Sequence, residues 1–420
     1  MQALALDLKS DTGLRSGTVA YGRELKRWDQ AKKYGAETVR DRDRKWAQPD
    51  GIRIGNYFIF PSVETRYEFD DNVFVTAGQK KADHAIQVLP KVMFRSQFAR
   101  HVADFEFGGR AKKFATHDEL DFITAYGAFD GALHINQAHT LSLSVFSGLE
   151  TEDRLQTGSN FDAIEKTKIW RNRASIGLTR DAGRGYLKWG AAFESWDFRD
   201  VRGRNGTMID QDARDLKIFS SDLKLGYRFS PGFNVEAKLR GLRRLHRGDA
   251  ILKSDAWGYE IIGGLKWETS PLLRWQFTAG YGIRDYDDPN LRTSGIGLVE
   301  ARATWLPLRA LTIYGTVRRS YDDGISASGT TGKVDDKIEI AADYEALRNV
   351  IFTIRGNYTK SEFENSSRRD QLIIGNFQVH YLMSKNWKIT FDYEYAERLS
   401  NEIGQDLRRN RFWIGAKYQF

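Results

Sequence analysis

The feature that most limits how this chain can fold is a two-residue period that recurs from about residue 52 to the last residue. In FNVEAKLRGLRRLH, which begins at Phe233, Phe233, Val235, Ala237 and Leu239 fall on one side and Asn234, Glu236, Lys238 and Arg240 on the other. In WGYEIIGGLKW, Trp257, Tyr259, Ile261, Leu265 and Trp267 oppose Glu260 and Lys266. In LLRWQFTAGYGIRDY, Leu273, Trp275, Phe277, Ala279, Tyr281 and Ile283 oppose Arg274, Gln276, Thr278 and Arg284. Successive side chains of a strand point to opposite faces, so each run reads as a strand with one apolar and one charged face.

Roughly 18 runs of about 10 to 15 residues satisfy this criterion, about 16 being the alternative count. They begin near Ile54, Ala85, Val102, Leu120, Thr140, Lys168, Tyr186, Leu216, Asn234, Trp257, Arg274, Gly297, Leu311, Lys337, Ile351, Leu372, Lys388 and Arg409. The links alternate as well. NQAH, DAGRG, SPG, TSPL, LRN and SKN are tight, whereas LQTGSNFDAIEK, RGRNGTMIDQDA, GISASGTTGKVD, SSRRD and NEIGQD are polar and mostly longer. The expectation is an all-β fold: a transmembrane, antiparallel, up-and-down β-barrel with short periplasmic turns and longer extracellular loops.

A soluble β-sandwich or propeller also alternates, but three observations weigh against one. The runs exceed the usual length of about 5 to 6 residues and suit membrane-spanning strands of about 9 to 11. Aromatics close the apolar face at both ends, as with Trp257 and Trp267 or Trp387 and Tyr395, in the manner of interfacial girdles. A sandwich core also has no means of solvating a charged residue on nearly every strand, whereas a water-filled lumen does. Composition agrees: aromatics reach 13%, Gly numbers 38, Pro 7, and there is no Cys. The 64 basic and 56 acidic residues are interspersed, which argues against nucleic acid as a partner.

The last run, RFWIGAKYQF, places Phe412, Ile414, Ala416, Tyr418 and Phe420 on the lipid face, with Arg411, Trp413, Gly415, Lys417 and Gln419 facing inward. A closed sheet needs its last strand to pair with its first, here expected near Tyr57 to Val63. The terminal pattern Phe412, Ile414, Tyr418, Phe420 resembles the recognition signal read by the bacterial outer-membrane assembly machinery. GIRIGNYFIFPSVETRYEFDDNVF (from Gly51) resembles the opening of the family called putative β-barrel porin 2. YRFSPGFNVEAKLR (from Tyr227), YGIRDYDDPNL (from Tyr281), YEALRNV (from Tyr344) and YLMSKNW (from Tyr381) extend the likeness over about residues 50 to 420. The resemblance implies a Gram-negative outer-membrane location in contact with lipid and lipopolysaccharide. It also implies a link to capsule or exopolysaccharide gene clusters, and a role as the outer-membrane pore for a polysaccharide. The partner so implied is a periplasmic polysaccharide-export ring protein.

Alternation predicts the lumen. Its candidate cations are Arg171, Arg173, Lys188, Lys224, Arg228, Lys238, Arg240, Arg244, Lys266, Arg274, Arg302, Arg318 and Arg355; its acids include Glu194, Glu236, Glu339 and Asp392. The basic excess favours anionic solutes. Inward aromatics Phe122, Tyr126, Trp196, Tyr314 and Trp413 are candidates for stacking against sugar rings. Charged, mutually paired walls are also what any wide lumen requires. The acidic doublets Asp70–Asp71, Asp287–Asp288 and Asp322–Asp323 offer weak Ca²⁺ ligands, but they lack the spacing of a dedicated calcium loop and suit strand-ending turns. No other metal, and no cofactor, is expected.

Residues 1–50 form a separate, charged segment. Tyr21, Leu25, Trp28, Ala31 and Val39 have loosely helical spacing, and Pro49–Asp50–Gly51 breaks into the first strand. The expectation is a partly helical periplasmic element that plugs the lumen or docks a partner, followed by a barrel over 51–420. MQALALDLKS is too short and too quickly charged for a complete signal peptide, and Ala3–Leu4–Ala5 fits the tail of a cleavage site. The leader is therefore expected to have been removed.

No G-x-S-x-G, H-E-x-x-H or phosphate-binding glycine loop is present. His134, His246 and His380 fall on inward faces and read as members of lumen hydrogen-bond networks, so no enzyme is expected. The leading function is a conduit for polysaccharide or another large polar solute. The alternatives are a general diffusion porin, although no loop is long enough to be assigned the constriction typical of one, and a non-conducting barrel that binds surface polymer through its loops.

Overall fold

The computed structural model describes residues 37–155, 163–247, 255–323 and 332–420. Eighteen strands form the barrel wall. The first nine are β1 (Tyr57–Asp70), β2 (Asp83–Ser96), β3 (Val102–Phe114), β4 (Phe122–His134), β5 (His139–Thr151), β6 (Lys168–Ala182), β7 (Gly185–Phe198), β8 (Leu216–Ser230) and β9 (Phe233–His246). The second nine are β10 (Ala256–Ser270), β11 (Leu273–Tyr286), β12 (Ser294–Leu308), β13 (Leu311–Asp322), β14 (Lys333–Leu347), β15 (Val350–Phe363), β16 (Arg369–Leu382), β17 (Trp387–Ser400) and β18 (Leu407–Gln419). Each pairs antiparallel with its neighbour in sequence, and β18 returns to β1, so the sheet closes and no edge faces lipid.

The seam lies elsewhere than the sequence suggests. Ser62–Asp70 pairs with Gln419–Arg411, one half of a strand beyond the expected Tyr57–Val63. Tilted strands close a barrel only with a stagger, and this stagger leaves the start of β1 beyond the reach of β18. The preceding chain covers it: Ile52–Ile54 folds back as a short strand on Tyr57–Ile59. Gly55 turns that hairpin at φ +55°, a conformation that suits glycine. The first run is therefore a hairpin plus a strand, and β1 starts three positions after Ile54.

Outward side chains are large, apolar and exposed. Trp267, Trp275, Trp305 and Trp387 lie toward the short-turn end and Tyr67, Trp170 and Trp257 toward the long-loop end, which fits two interfacial girdles. Among the described residues, so wide a ring of strands has no central apolar core. Buried apolar residues collect instead at the two mouths: Val39, Ala47, Ile351 and Leu382 at the short-turn end, and Val73, Phe74, Phe114 and Leu120 at the other. A third group, Val75, Leu155, Ala396 and Leu407, also sits at the long-loop end. In an outer-membrane barrel these ends are periplasmic and extracellular respectively.

Candidate functional site in the barrel lumen

The inner wall is held by ion pairs that run from strand to strand. On β17, Glu394 accepts hydrogen bonds from Arg409 Nη2 (2.9 Å) and Arg411 Nη2 (2.8 Å) of β18. Across the seam, Glu68 of β1 accepts from Lys112 Nζ of β3 at 2.8 Å. A second knot joins β6 and β7, where Glu194 accepts from Arg171 Nη2 (2.6 Å), Arg173 Nη2 (2.9 Å) and Trp196 Nε1 (2.8 Å). A third knot joins β10 and β11 to the extracellular ends of β13 and β15. Arg284 donates to Asp323 (2.9 Å) and Glu260 (2.8 Å), and the hydroxyls of Tyr286 and Tyr321 both reach Glu364. Removing one partner from such buried pairs strands the other charge, at about 3–5 kcal/mol.

Two loops fold into the extracellular mouth. In the loop 71–82, Asn72 is fully buried; its amide donates to Thr76 O (2.9 Å) and Arg408 O (3.0 Å), and its Oδ1 accepts from Thr76 N (3.0 Å). These bonds hold Val75 at φ +56°, a strained position for a β-branched residue. The loop 152–167 reaches further, since Leu155 packs on Ala396 and Leu407 of the β17–β18 wall. Arg154 Nη2 stiffens it by donating to the carbonyls of Ala163, Ile164 and Glu165, each at 2.9 Å. Glu152 is clamped by Arg214 of the neighbouring loop 199–215. Burial and nearby Lys112 push the Lys166 amine down to about 7, and the amine sits 5.0 Å over the Phe122 ring. Leu155 thus anchors the described start of this loop against the inner wall. Loop length in sequence said nothing about where Leu155 would be anchored.

The other mouth is occupied by residues 37–50. Arg40 donates to Asp343 from Nε (2.7 Å) and Nη2 (3.0 Å), and Asp343 also accepts the Thr353 hydroxyl (2.7 Å). Val39 N donates to Thr312 Oγ1 (2.9 Å), Arg44 Nη2 to Glu345 (3.0 Å), and Arg42 reaches the same carboxylate. Val39 and Ala47 complete the arm's apolar contact with Ile351 and Leu382. Of the expected helix, Tyr21, Leu25, Trp28 and Ala31 lie outside the described residues; Val39 is in a turn, and the arm's only helical piece among described residues is the 3-10 turn Lys45–Ala47.

The family model described as putative beta-barrel porin 2 matches residues 47–420. The chain belongs to that family. As a member of a porin family it is an outer-membrane β-barrel of the porin type. No curated protein sequence matches it. Among solved structures, it is similar to OccAB1 of Acinetobacter baumannii (13% identity, TM-score 0.47, 90% of this chain and 99% of that one). It is also similar to OpdQ of Pseudomonas aeruginosa (10% identity, TM-score 0.48, 87% and 98%). OpdK of P. aeruginosa is similar too (11% identity, TM-score 0.46, 86% and 99%). Nothing about cargo passes from them to this porin.

The sequence-derived lumen residues fall on the inward register positions of their strands. Arg302 pairs with Glu300, Arg318 lies 3.9 Å from Glu300, and Arg355 lies 3.8 Å from Glu339. Arg228 forms a fork on Asp181 (2.9 and 2.9 Å), and Lys224 and Lys266 share Glu236 (3.4 and 3.2 Å). Of the stacking candidates, Tyr126 lies beside Phe146 at 5.8 Å and bonds Glu106. Arg171 covers Trp196, Arg411 covers the buried Trp413, and Phe122 is buried under Lys166. Phe146 was missed because SLSVFSG reads equally well as a small-residue strand.

The acidic doublets end β1, β11 and β13. Asp70 accepts from Asn72 N, Asp71 from Asn410 N and Nδ2, and Arg243 forks onto Asp287, holding it below the usual carboxylate range. Asp288 caps Asn290, Asp322 faces Lys333, and Asp323 faces Arg284. Among the described residues, three other carboxylates, Asp200, Asp210 and Asp212, have oxygens within 4.8 Å of one another on the exposed loop 199–215. The ribbon of Val201–Arg202 with Met208–Ile209 brings them together. Two of the three already accept backbone N–H groups, Asp200 from Gln211 and Asp210 from Asp212.

Proposed function

We propose that this protein is an outer-membrane pore for export of a polysaccharide or passage of a large polar solute, narrowed at both mouths by its own chain. The observation that carries this reading is the inner face of an eighteen-strand barrel, ionised from one mouth to the other. Such a face needs a wet lumen, and barrels of about 16 to 18 strands are wide enough to hold one. The polysaccharide cargo is supported by the family resemblance and by aromatic rings beside the wall charges, as at Tyr126, Phe146 and Arg173. On this reading the partners are lipid and lipopolysaccharide outside, the assembly machinery at the β18 signal, and an export ring protein at the arm-filled mouth. The inward loop 152–167 favours a second reading, a diffusion porin with a fixed constriction.

Planar-bilayer recording tests the pore: the whole chain should conduct weakly and a variant lacking residues 1–50 more strongly. No current from either would sink it. Deleting the gene from its native host separates the two cargoes. Loss of surface polysaccharide with unchanged uptake of small solutes supports export, and the reverse supports the diffusion porin.

A further inference from the structure

The short turns carry an apolar–basic pattern that the lumen does not use. Leu308–Arg309 closes β12 ahead of β13, and Leu347–Arg348 has the same place between β14 and β15. Phe98 and Arg100 lie between β2 and β3, Arg184 between β6 and β7, and Arg53 beside Ile54 in the hairpin before β1. All of these side chains are exposed, Leu308 and Leu347 at 61% and 62%. Leu308 follows the girdle residue Trp305 by three positions, which sets Arg309 at the level of the lipid headgroups.

Among the described residues, these five arginines have no carboxylate within ion-pair distance. Arg100 donates to the Ile135 carbonyl (2.6 Å) and Arg348 lies 5.5 Å over the Trp46 ring, contacts that hold a guanidinium in place while leaving N–H donors open. The acids of this end are engaged elsewhere: Asp50 with Lys385 (2.9 Å), Asp181 with Arg228 (2.9 Å), Asp104 with Arg95 (3.3 Å), and Glu345 with Arg42 and Arg44. Asp43 accepts from Gln48 within the arm, Glu37 stands at the arm's described start, and Glu268 is the register partner of Arg274. The opposite rim differs, because there the outward cations of β13 to β18 alternate with carboxylates. Arg319 lies 3.7 Å from Asp336, Lys360 and Arg369 lie 2.8 and 3.9 Å from Glu362, and Arg408 lies 2.7 Å from Glu397.

We propose that this rim binds anionic phospholipid of the periplasmic leaflet, its phosphates held by the turn arginines and its acyl chains meeting Phe98, Leu308 and Leu347. The inference deepens the lipid contact named above and rests on the barrel's place in the membrane, not on conduction. An exposed apolar side chain beside an exposed arginine matches a lipid, which offers acyl chain and phosphate at neighbouring depths, better than it matches the polar face of a soluble protein. A guanidinium fork can take two phosphate oxygens at once. The turns of Arg309 and Arg348 are two strands apart, about 10 Å, so two headgroups or one doubly charged lipid can span them.

The test places the purified full-length barrel in phosphatidylcholine vesicles carrying a trace of spin-labelled lipid, and reads the motionally restricted fraction. Spin-labelled phosphatidylglycerol should associate about fivefold more strongly than spin-labelled phosphatidylcholine, and high salt should narrow the gap. R100Q/R184Q/R309Q/R348Q should bring the ratio close to one, while R100K/R184K/R309K/R348K retains most of the preference and controls for folding. Equal association of the two lipids with the wild-type barrel overturns the site and leaves the arginines to an acidic protein face. A preference that survives in the glutamine variant overturns it as well. Neither result touches the pore reading, and a barrel that selects phosphatidylglycerol but passes no current sinks the pore alone.

Discussion

Replacing Arg40 with glutamine should release the N-terminal arm from the periplasmic mouth. Asp343 is fully buried in the pair while Arg40 is 18% exposed, so the carboxylate bears most of the desolvation. With Arg40 gone, Asp343 keeps the Thr353 hydroxyl at 2.7 Å but loses both guanidinium bonds. An orphaned buried charge costs about 3–5 kcal/mol; taking about 3, since Arg40 is partly solvated, shifts arm release on the order of 100-fold. Burial of Val39 contributes a further ~1.5 kcal/mol that this variant leaves in place. Trypsin reports the change, because Arg42 and Arg44 are shielded only while the arm is seated. The rate of cleavage there should rise about 100-fold in the variant, with the barrel itself uncut. The double variant R40Q/D343N should be cleaved more slowly than R40Q, because no buried charge is left without a partner. An R40Q protein cleaved at the wild-type rate, or a double variant no slower than R40Q, would refute the latch.

Phe420→Ser should lower the amount of barrel assembled in cells, read as heat-modifiable protein in the outer membrane, while the purified protein refolds normally; equal surface levels count against the signal. Asn72→Ala removes side-chain bonds to Thr76 and Arg408 and should loosen the loop 71–82 by about 2 kcal/mol, seen as faster hydrogen exchange at Val73–Val75. Deleting 156–162 should raise single-channel conductance if the loop 152–167 constricts the lumen, and an unchanged conductance excludes that role. Burial pushes the Asp215 carboxyl up to about 6; Asp197 and Asp212 add to the rise, against the Phe198 N–H and Arg247. The folded loop therefore binds this proton more tightly than the unfolded chain, whose carboxyl titrates near 3.8. Order in the loop 199–215 should be greatest below about pH 4 and decline as pH rises through about 6. Asp215→Asn should flatten that profile in hydrogen exchange.

Much of the wall was legible because β periodicity is local. Whether Lys238 faces in and Leu239 out follows from neighbouring residues alone, and the polarity of the links then orders short turns against long loops. The final strand was legible for the same reason: Phe412, Ile414 and Tyr418 are exposed outward and Trp413 is buried inward, as alternation requires. Register between strands is a different matter. It places Lys188, Lys224 and Lys238 in one row and moves the seam to Ser62–Asp70, and it depends on the tilt and stagger with which the whole ring closes.

The chain's own sequence thus determined that it is a barrel, about how many strands it has, and which side chains meet lipid or lumen. Only the tertiary structure decided what occupies the two mouths. The contacts responsible, Arg40 with Asp343 and Leu155 with Ala396 and Leu407, join residues hundreds of positions apart, and no local period encodes a distance through the middle of a closed ring.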